Sequence, residues 1–450
     1  MQPRANGGGD LVEARSARTG AVRAEAGDRA FDAINPPSPD LIDQCVHCGF
    51  CLPSCPTYDL WRVEADSPRG RIVLMDEGLA SGSEMGSEMV AHLDACLGCM
   101  ACVTACPSGV QYDRLIEDTR SQVERNHKRP LRERLVRRLA FATFTYPGRL
   151  RLLVPLLVLG RLLGLTRLAT RLGKRSPLRA LALLAPRVRM RDMRARLRPR
   201  WEAAGDPRGT VALLQGCVQR AFFSGVNEAS AAVLAAEGFD VEAPDAPRCC
   251  GALQLHSGSD EDARRLAKQT IASLEGADHV VANAAGCGSA MKSYGHLLRE
   301  EPDWAERAAS FSERVKDITE LLADTPPRAT RHPVEATLAY HDPCHLAHAQ
   351  QVREQPRHLL SDVPGVELVE PEDWTTCCGS AGLYNIFFPE TADELGRRKV
   401  ANLRATGADT VAVANPGCAL QIEGHARAEG KPMTTIHPIE ILHRSILGSG

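Results

Sequence analysis

Two cysteine runs between Cys45 and Cys106 constrain this chain more than any other feature. Each run reads C-x2-C-x2-C-x3-C-P, with cysteines at 45, 48, 51 and 55 and again at 96, 99, 102 and 106. In this pattern three closely spaced thiolates hold one [4Fe-4S] cube and the fourth crosses to the other cube. The spacing assigns cluster one to Cys45, Cys48, Cys51 and Cys106, and cluster two to Cys96, Cys99, Cys102 and Cys55. Two cubes linked in this way lie close together and form a route for electrons.

Zinc sites and disulfides are the alternatives for these cysteines. Zinc sites also use C-x2-C pairs, but they take four ligands in all, usually two from each turn. Disulfides need an oxidising compartment, and the N-terminus lacks the continuous apolar core of a secretory signal. The chain has 16 cysteines, and in a reducing compartment cysteine thiolates typically bind metals. We therefore expect a cytoplasmic iron-sulfur protein.

The length of 450 residues is too great for one hydrophobic core. Composition and periodicity divide the chain into five segments. They are a disordered Gly- and Pro-rich extension (1–40), a helical ferredoxin-like dicluster domain (41–125), an Arg- and Leu-rich helical connector (126–205), and two repeated α/β units (206–325 and 326–450). The expected fold is thus an α-helical dicluster domain followed by a duplicated α/β domain.

The connector concentrates positive charge. Residues 126–200 contain 21 Lys or Arg and only two acids, although the whole chain has a formal net charge of -2. No uncharged stretch reaches the roughly 20 residues that a transmembrane helix requires. Interleaved leucine and arginine suit an amphipathic helix on an anionic membrane or against an acidic partner. Helices that bridge two domains, with arginine stems covering apolar surface, are the alternative. Few aromatic residues are present to stack on bases, so we expect no nucleic acid as a partner.

An internal repeat occupies the second half of the chain. A strand predicted at 210–214 leads to Cys217, and the strand at 336–340 leads to Cys344. A Cys-Cys-Gly turn and a further strand-cysteine pair follow in each unit. The carboxyl ends of parallel strands face one crevice, so these thiols are expected to converge. The candidate ligands, for an additional cluster or for zinc, are Cys217, Cys249, Cys250 and Cys287 in the first unit, and Cys344, Cys377, Cys378 and Cys418 in the second. Buried cysteines acting as small apolar residues are the alternative.

Paired ferredoxin-type runs followed by two Cys-Cys-Gly units resemble the iron-sulfur subunits of bacterial glycolate oxidases. More broadly they resemble heterodisulfide-reductase-like and lactate-utilisation proteins. The sequences Cys-Val-His-Cys-Gly-Phe-Cys-Leu-Pro at Cys45, Asp-Ser-Pro-Arg-Gly-Arg at Asp66 and Gln-Gly-Cys-Val-Gln at Gln215 favour the glycolate oxidase branch.

The resemblance implies an electron-transfer subunit of a glycolate dehydrogenase complex, with the eight cysteines of the two runs as cluster ligands. It implies FAD-binding partner subunits that oxidise glycolate to glyoxylate, or D-lactate, and a quinone-linked acceptor. Peripheral contact with the cytoplasmic face of the inner membrane would fit that acceptor. No flavin is expected in this chain, since no G-x-G-x-x-G opens a strand-turn-helix, and no catalytic residue is assigned to it. A heterodisulfide-reductase-like or lactate-utilisation oxidoreductase subunit is the alternative.

The chain departs from the heterodisulfide reductases at one position of each unit. Those proteins end each unit in C-x2-C, whereas Ala284 and Asn415 stand at the first of these two cysteine positions here. Four cysteines per unit could hold a different cluster, zinc or nothing. His341, His345 and His348 flank Cys344 and are further ligand types.

Overall fold

The computed structural model describes residues 29–80 and 82–448. The first 28 residues of the predicted extension therefore lie outside the described residues. Residues 29–40 are described, and they pack against the dicluster domain: Phe31 is buried, and its N–H donates to the carbonyl oxygen of Gly78 (3.2 Å). Arg125 holds Asp32 in an ion pair of 2.8 Å. This part of the predicted extension thus belongs to the packed domain.

Short helices connect the two cysteine runs of the first domain. Ser67 caps the longest helix of the connecting loop by accepting the N–H of Gly70, and Pro68 takes its first position, as the sequence predicts. The helices are α1 (Pro39–Asp43), α2 (Pro56–Trp61), α3 (Pro68–Leu79), α4 (Ser87–Asp94), α5 (Ala101–Thr104) and α6 (Tyr112–Asn126), with a 3-10 turn at Glu64–Asp66.

The connector forms a series of helices. They are α7 (Leu131–Phe144), α8 (Pro147–Leu152), α9 (Val154–Leu162), α10 (Leu165–Ala169) and α11 (Pro177–Leu183), followed by a 3-10 segment at Met190–Arg194. Within residues 29–80 and 82–448, no helix has the length and apolarity needed to cross a bilayer. The connector is anchored to both units, since Arg151 donates to the carbonyl oxygen of Arg220 (3.1 Å) and Arg179 bonds to Asp393. It therefore bridges the other domains, as one of the alternatives for this segment expects.

Each repeated unit contains its own sheet, and the parallel strands of the two sheets follow the same order. In the first, the parallel strands run in the order β3-β2-β4-β5, with β1 added antiparallel beside β3; in the second the order is β7-β6-β8-β9, all parallel. The strands are β1 (Arg200–Trp201), β2 (Thr210–Leu213), β3 (Asp240–Glu242), β4 (His279–Ala282), β5 (Val315–Asp317), β6 (Ala336–His341), β7 (Val366–Val369), β8 (Thr410–Val413) and β9 (Thr434–Ile436). The matching strand order confirms the duplication predicted from the cysteine spacing.

Helices follow most strands, as parallel connections require. In the first unit they are α12 (Cys217–Phe222), α13 (Ser224–Ala236), α14 (Ala252–Leu255), α15 (Asp260–Leu274), α16 (Ala285–Lys292), α17 (Tyr294–Leu297), α18 (Ala305–Arg314) and α19 (Ile318–Ala323). In the second they are α20 (Cys344–Ala347), α21 (Glu354–Ser361), α22 (Tyr384–Phe387), α23 (Pro389–Ala405), α24 (Pro416–Ala428) and α25 (Pro438–Leu447).

The two units share one hydrophobic core. Val211 and Val281 of the first unit and Leu338 and Ile439 of the second belong to the same buried cluster. The last helix, α25, packs on α13 of the first unit. His437 caps this helix: its Nδ1 accepts the N–H of Ile439 (3.1 Å), and its Nε2 donates to the carbonyl oxygen of Asn283 (3.0 Å). The hydrophobic core of each unit therefore includes side chains of the other.

We expect His437 to make the protein sensitive to acid. Burial lowers the pKa of His437 to about 4 from an ordinary value of 6.5. Below pH 6.5 the unfolded chain therefore binds a proton at His437 that the folded chain does not bind. The contribution of His437 to folding stability is thus present above pH 6.5 and is lost as the pH falls towards 4. The loss should reach about 3 kcal/mol. The denaturation midpoint measured between pH 7 and 4 should fall less steeply in His437→Asn, which keeps a capping oxygen and does not titrate. Parallel curves for the two proteins would contradict this role.

Candidate functional site

The spacing assigns the eight cysteines of the two runs to two groups that cross between the runs, and thiols of the two runs lie close together in the structure. Burial raises the pKa of Cys102 well above its ordinary value, and the neighbouring thiols of Cys99, Cys96 and Cys55 add to the rise. Cys45 interacts in the same way with Cys106 and Cys48. Cys55 of the first run thus lies near thiols of the second run, and Cys106 of the second run lies near Cys45 of the first.

The two groups differ in burial. Cys48 is exposed, and Cys45, Cys51 and Cys106 are half-buried, whereas Cys55, Cys96, Cys99 and Cys102 are all buried. Two apolar side chains of the first run, Val46 and Phe50, are both 67% exposed beside the first group. The first group therefore lies at the surface, and the second group lies inside the protein.

A buried arginine lies beside the second group. Arg71 is 1% exposed and donates to Thr57 Oγ1 (3.2 Å), which in turn lies 3.2 Å from the sulfur of Cys55. Burial alone would raise the pKa of Cys96, but the guanidinium groups of Arg71 and Arg120 outweigh it and lower that pKa. These positive charges favour an anionic cofactor at the second group.

Removing the charge of Arg71 should lower the reduction potential of the inner cluster. We expect a shift on the order of 100 mV in Arg71→Met, from one charge removed at short range in a partly polar interior. Arg71→Lys, which keeps the charge, should shift the potential much less. Arg69→Met is the matched control, because Arg69 is partly exposed and lies nearer Cys51 of the outer group. An EPR-monitored redox titration measures each potential, and an unchanged inner potential in Arg71→Met would contradict the assignment.

The cysteines of each repeated unit lie in one connected group. Neighbouring thiols interact in the order Cys217, Cys249, Cys250, Cys287 in the first unit and Cys344, Cys377, Cys378, Cys418 in the second. All 16 cysteines of the chain are free thiols. Hydrogen bonding to Cys249 and burial together raise the pKa of Cys217 well above its ordinary value. Such thiols ionise when a metal cation displaces their protons.

The glycine of each Cys-Cys-Gly turn is required by its backbone. Gly251 and Gly379 have φ of +82° and +80°, which disfavours other residues. Their N–H groups turn back to the sulfur of Cys249 (3.4 Å) and Cys377 (3.5 Å). A Cβ on Gly379 would lie 2.9 Å from the carbonyl oxygen of Ala392 in α23. The close approach of this glycine is therefore to a helix of its own unit.

One cavity of about 680 Å³ lies between the two units and reaches both cysteine groups. Its wall includes Cys217, Cys249, Cys250, Cys287, Cys344, Cys377, Cys378 and Cys418. The connector closes it with an apolar roof that includes Phe144, Leu150, Leu153, Leu157, Leu181 and Leu184. The sequence predicted that the thiols would converge, but it gave no sign that the connector covers them.

The second unit contacts the inner dicluster group directly. Cys99 lies in one buried apolar cluster with Leu97 and Cys377, and its thiol interacts with that of Cys344. Tyr384 of the second unit donates to the carbonyl oxygen of Ala95 (3.2 Å). The inner dicluster group and the second cysteine group are therefore neighbours across this interface.

The first unit contacts the dicluster domain through polar residues that sequence reasoning missed. Arg120 donates to the carbonyl oxygens of Cys96 (2.5 Å) and of His256 (2.9 Å). Burial raises the pKa of Glu117 to about 8 and lowers that of His256 to about 4. The Glu117 carboxyl group and Nδ1 of His256 lie 3.1 Å apart. No motif marks these residues, since they meet only where α6 contacts the turn that follows α14.

The outer surface of the connector carries a stripe of leucines. Leu152 of α8, Leu156 and Leu159 of α9 and Leu163 directly after α9 are 52–69% exposed and form the leucine face. Arg161, Arg167 and Arg171 lie close by in the sequence. Leu153 and Leu157 of the same helices line the cavity instead. The segment therefore has one apolar side against the cysteine groups and another against solvent.

Comparison with known families matches both halves of the chain. A model described as a 4Fe-4S dicluster domain matches residues 41–110, which hold all eight cysteines of the two runs. A model described as a cysteine-rich domain matches twice, at residues 211–292 and 338–423. The duplicate match agrees with the two sheets.

Curated relatives extend the similarity over most of the chain. A probable glycolate oxidase iron-sulfur subunit of Bacillus subtilis is 38% identical over 399 residues, covering 86% of this chain and 89% of the relative. The glycolate oxidase iron-sulfur subunit of Escherichia coli is 33% identical over 411 residues, covering 90% and 94%. Lactate utilization protein A of Shouchella clausii is 30% identical over 234 residues, covering 52% of this chain and 98% of the relative.

Proposed function

The chain belongs to the family of glycolate oxidase iron-sulfur subunits, and on this premise we propose that it carries electrons from a flavin-containing partner to an acceptor at the cavity between its two repeated units. Family membership makes it an electron-transfer subunit of an oxidoreductase complex. The observation that carries the proposed route is the contact of Cys99 with Cys344 and Cys377, which joins the dicluster domain to the cavity.

The donor sets fit the proposed cofactors. Cys45, Cys48, Cys51 and Cys106 would hold one [4Fe-4S] cube, and Cys96, Cys99, Cys102 and Cys55 the other, in a helical ferredoxin-like domain. Each set offers four thiols and no competing disulfide. The four-cysteine groups of the repeated units offer the same soft donors, suited to a further iron-sulfur cluster or to zinc. Bound in the dicluster domain, the cubes supply one-electron transfer at short range.

Electrons are proposed to enter at the outer group. Cys48 is exposed there, and the exposed side chains of Val46 and Phe50 offer an apolar surface for a partner. The partner chemistry that fits is an FAD-binding subunit, which delivers electrons one at a time. The inner group is shielded from solvent, which prevents electrons from escaping to other acceptors on the way.

Electrons are proposed to leave through the cavity. A small apolar acceptor such as a quinone suits its leucine-rich roof and the adjacent cysteine groups. The α8–α9 segment lines this cavity with Leu153 and Leu157, and other leucines of the same segment form the leucine face. A leucine face resting on the cytoplasmic side of the inner membrane would bring the cavity near a lipid-soluble acceptor.

The substrate of the complex is proposed to be glycolate, with D-lactate as the second candidate. The two relatives that match over most of the chain are named for glycolate oxidase, whereas lactate utilization protein A matches over about half of it. The test is substrate-dependent reduction of a dye and of a water-soluble quinone by the complex, purified without oxygen from its own host. Glycolate should reduce both acceptors. A co-purified flavoprotein that reduces neither with glycolate nor with D-lactate would overturn this function.

We expect the leucine face to drive membrane binding. Changing Leu152, Leu156, Leu159 and Leu163 to serine should weaken binding to anionic vesicles by more than about 10-fold, since exposed apolar side chains supply most of the insertion energy of such a surface. Val73→Ser combined with Leu447→Ser, which alters exposed apolar residues of other domains, should leave binding unchanged. Vesicle flotation measures both. Equal binding by the leucine variant and the wild type would rule out this surface.

A further inference from the structure

His341 has no partner that explains its burial. It ends strand β6 and is 1% exposed. Neither Nδ1 nor Nε2 has a hydrogen-bond partner among the residues that the structure describes. A buried polar group without a partner is destabilising, so such groups are rare in folded proteins. The unpartnered imidazole of His341 therefore points to a ligand.

The neighbours of His341 identify the kind of ligand. One of its ring nitrogens and the sulfurs of Cys378 and Cys418 all lie within 4.8 Å of one another. A neutral imidazole beside two thiols is a donor set for zinc or for an iron-sulfur cluster.

The repeat shows that this feature belongs to one unit only. His341 precedes Cys344 by three positions, and Leu214 precedes Cys217 by three. The register agrees, because Leu213 pairs with Val281 of β4 as Tyr340 pairs with Ala412 of β8. The first unit thus has an apolar side chain where the second has a histidine.

A second difference lies on the following helix. Gly251 packs on Ala263 and Leu266 of α15, and Gly379 packs on Ala392 and Leu395 of α23. In this alignment of the two units, Thr270 of the first is equivalent to Lys399 of the second. Lys399 is 1% exposed and interacts with the thiols of Cys377 and Cys378. A buried ammonium group at this position favours an anionic centre beside it.

We propose that His341 is a metal ligand in the second unit, which makes the two repeated units inequivalent: four cysteines and a histidine in the second, four cysteines alone in the first. The inference rests on the proposed function, in which the cysteine groups hold a metal centre. A neutral imidazole beside the thiolates, together with Lys399, makes the centre of the second unit the easier of the two to reduce. This centre is also the one that neighbours Cys99.

The test compares His341→Leu, which copies the first unit, with His341→Cys and with His345→Gln. His345 is the matched control because it also lines the cavity and lies beside Cys344 (3.5 Å from Nδ1 to sulfur). Each complex is purified without oxygen from cells fed 14N- or 15N-labelled histidine. Iron, zinc and sulfide are counted, and nitrogen coupling is measured by pulsed EPR or, for zinc, histidine ring scattering by X-ray absorption.

We expect metal in excess of the two cubes. The wild type and His345→Gln should give a histidine nitrogen signal, and His341→Leu should give none. His341→Cys should keep the metal and lose the nitrogen signal, which tests the ligand even if the leucine variant does not fold. A nitrogen signal that survives in His341→Leu or His341→Cys, or excess metal without any such signal in the wild type, overturns the histidine ligand alone. No metal beyond the two cubes in the wild type overturns the histidine ligand and, with it, the proposed centres of both units.

Discussion

Replacing Cys55 by serine should remove the inner cluster, although Cys55 belongs to the first cysteine run. The structure places its thiol with Cys99 and Cys102 of the second run. Serine is a poor ligand for iron, so the variant should lose roughly half of the iron of the two cubes. Reduction of a water-soluble quinone with glycolate should fall by more than about 100-fold, because the remaining cube is then separated from the second unit.

The comparison with other cysteines makes this result specific. Cys99→Ser should abolish the same EPR signal as Cys55→Ser, whereas Cys48→Ser should abolish the other signal. Ser54→Ala is the neighbouring control and should retain both signals and full activity. If Cys55→Ser and Cys48→Ser removed the same signal, each run would hold its own cube and the crossed assignment would be wrong.

Replacing Cys378 by serine should stop electrons after the cubes. Cys378 lies between Cys377 and Cys418 in the second group, and so contributes to the centre beside Cys99. Glycolate should still reduce both cubes, as seen by EPR, and a dye that takes electrons at the exposed outer group should still react. Quinone reduction should fall by more than about 100-fold, since removing a ligand typically costs more than the 10- to 100-fold loss seen for outer-shell partners.

The controls separate a broken route from a damaged fold. Ser380→Ala removes a polar group of the same cavity wall two positions later and should keep quinone reduction. Cys250→Ser makes the corresponding change in the first unit and shows whether its group is also needed. Full quinone reduction by Cys378→Ser, with the metal of the second unit gone, would place the exit elsewhere.

The parts of the site that the sequence predicted are those set by short-range spacing. The nearness of Cys55 to the second run follows from two short motifs, and the duplicated sheet follows from strands at matching distances from Cys217 and Cys344. The helix start at Ser67 follows from its cap. In each case the relevant residues are close in sequence or repeated, so the local pattern contains the information.

The parts that the sequence did not predict depend on packing between distant segments. Residues 29–40 have the composition of a disordered segment, but Phe31 is buried against α3, and composition does not record one such contact. The sequence of the connector, which forms the apolar roof of the cavity, fits either a membrane-surface helix or a bridging helix, because leucine and arginine are interleaved in both kinds of segment. Arg120 and His256 meet across 136 positions, and neither lies in a motif.

The docking of α25 on the first unit sets an order for maturation of the chain. Residues 438–447 are made long after the first unit has left the ribosome, yet they pack on α13, and the preceding His437 bonds to the end of β4. The first unit therefore remains incompletely packed until the second unit has been synthesised. Metal delivered before that point would meet open thiols, so we expect the cell to load the cavity centres only after translation has finished.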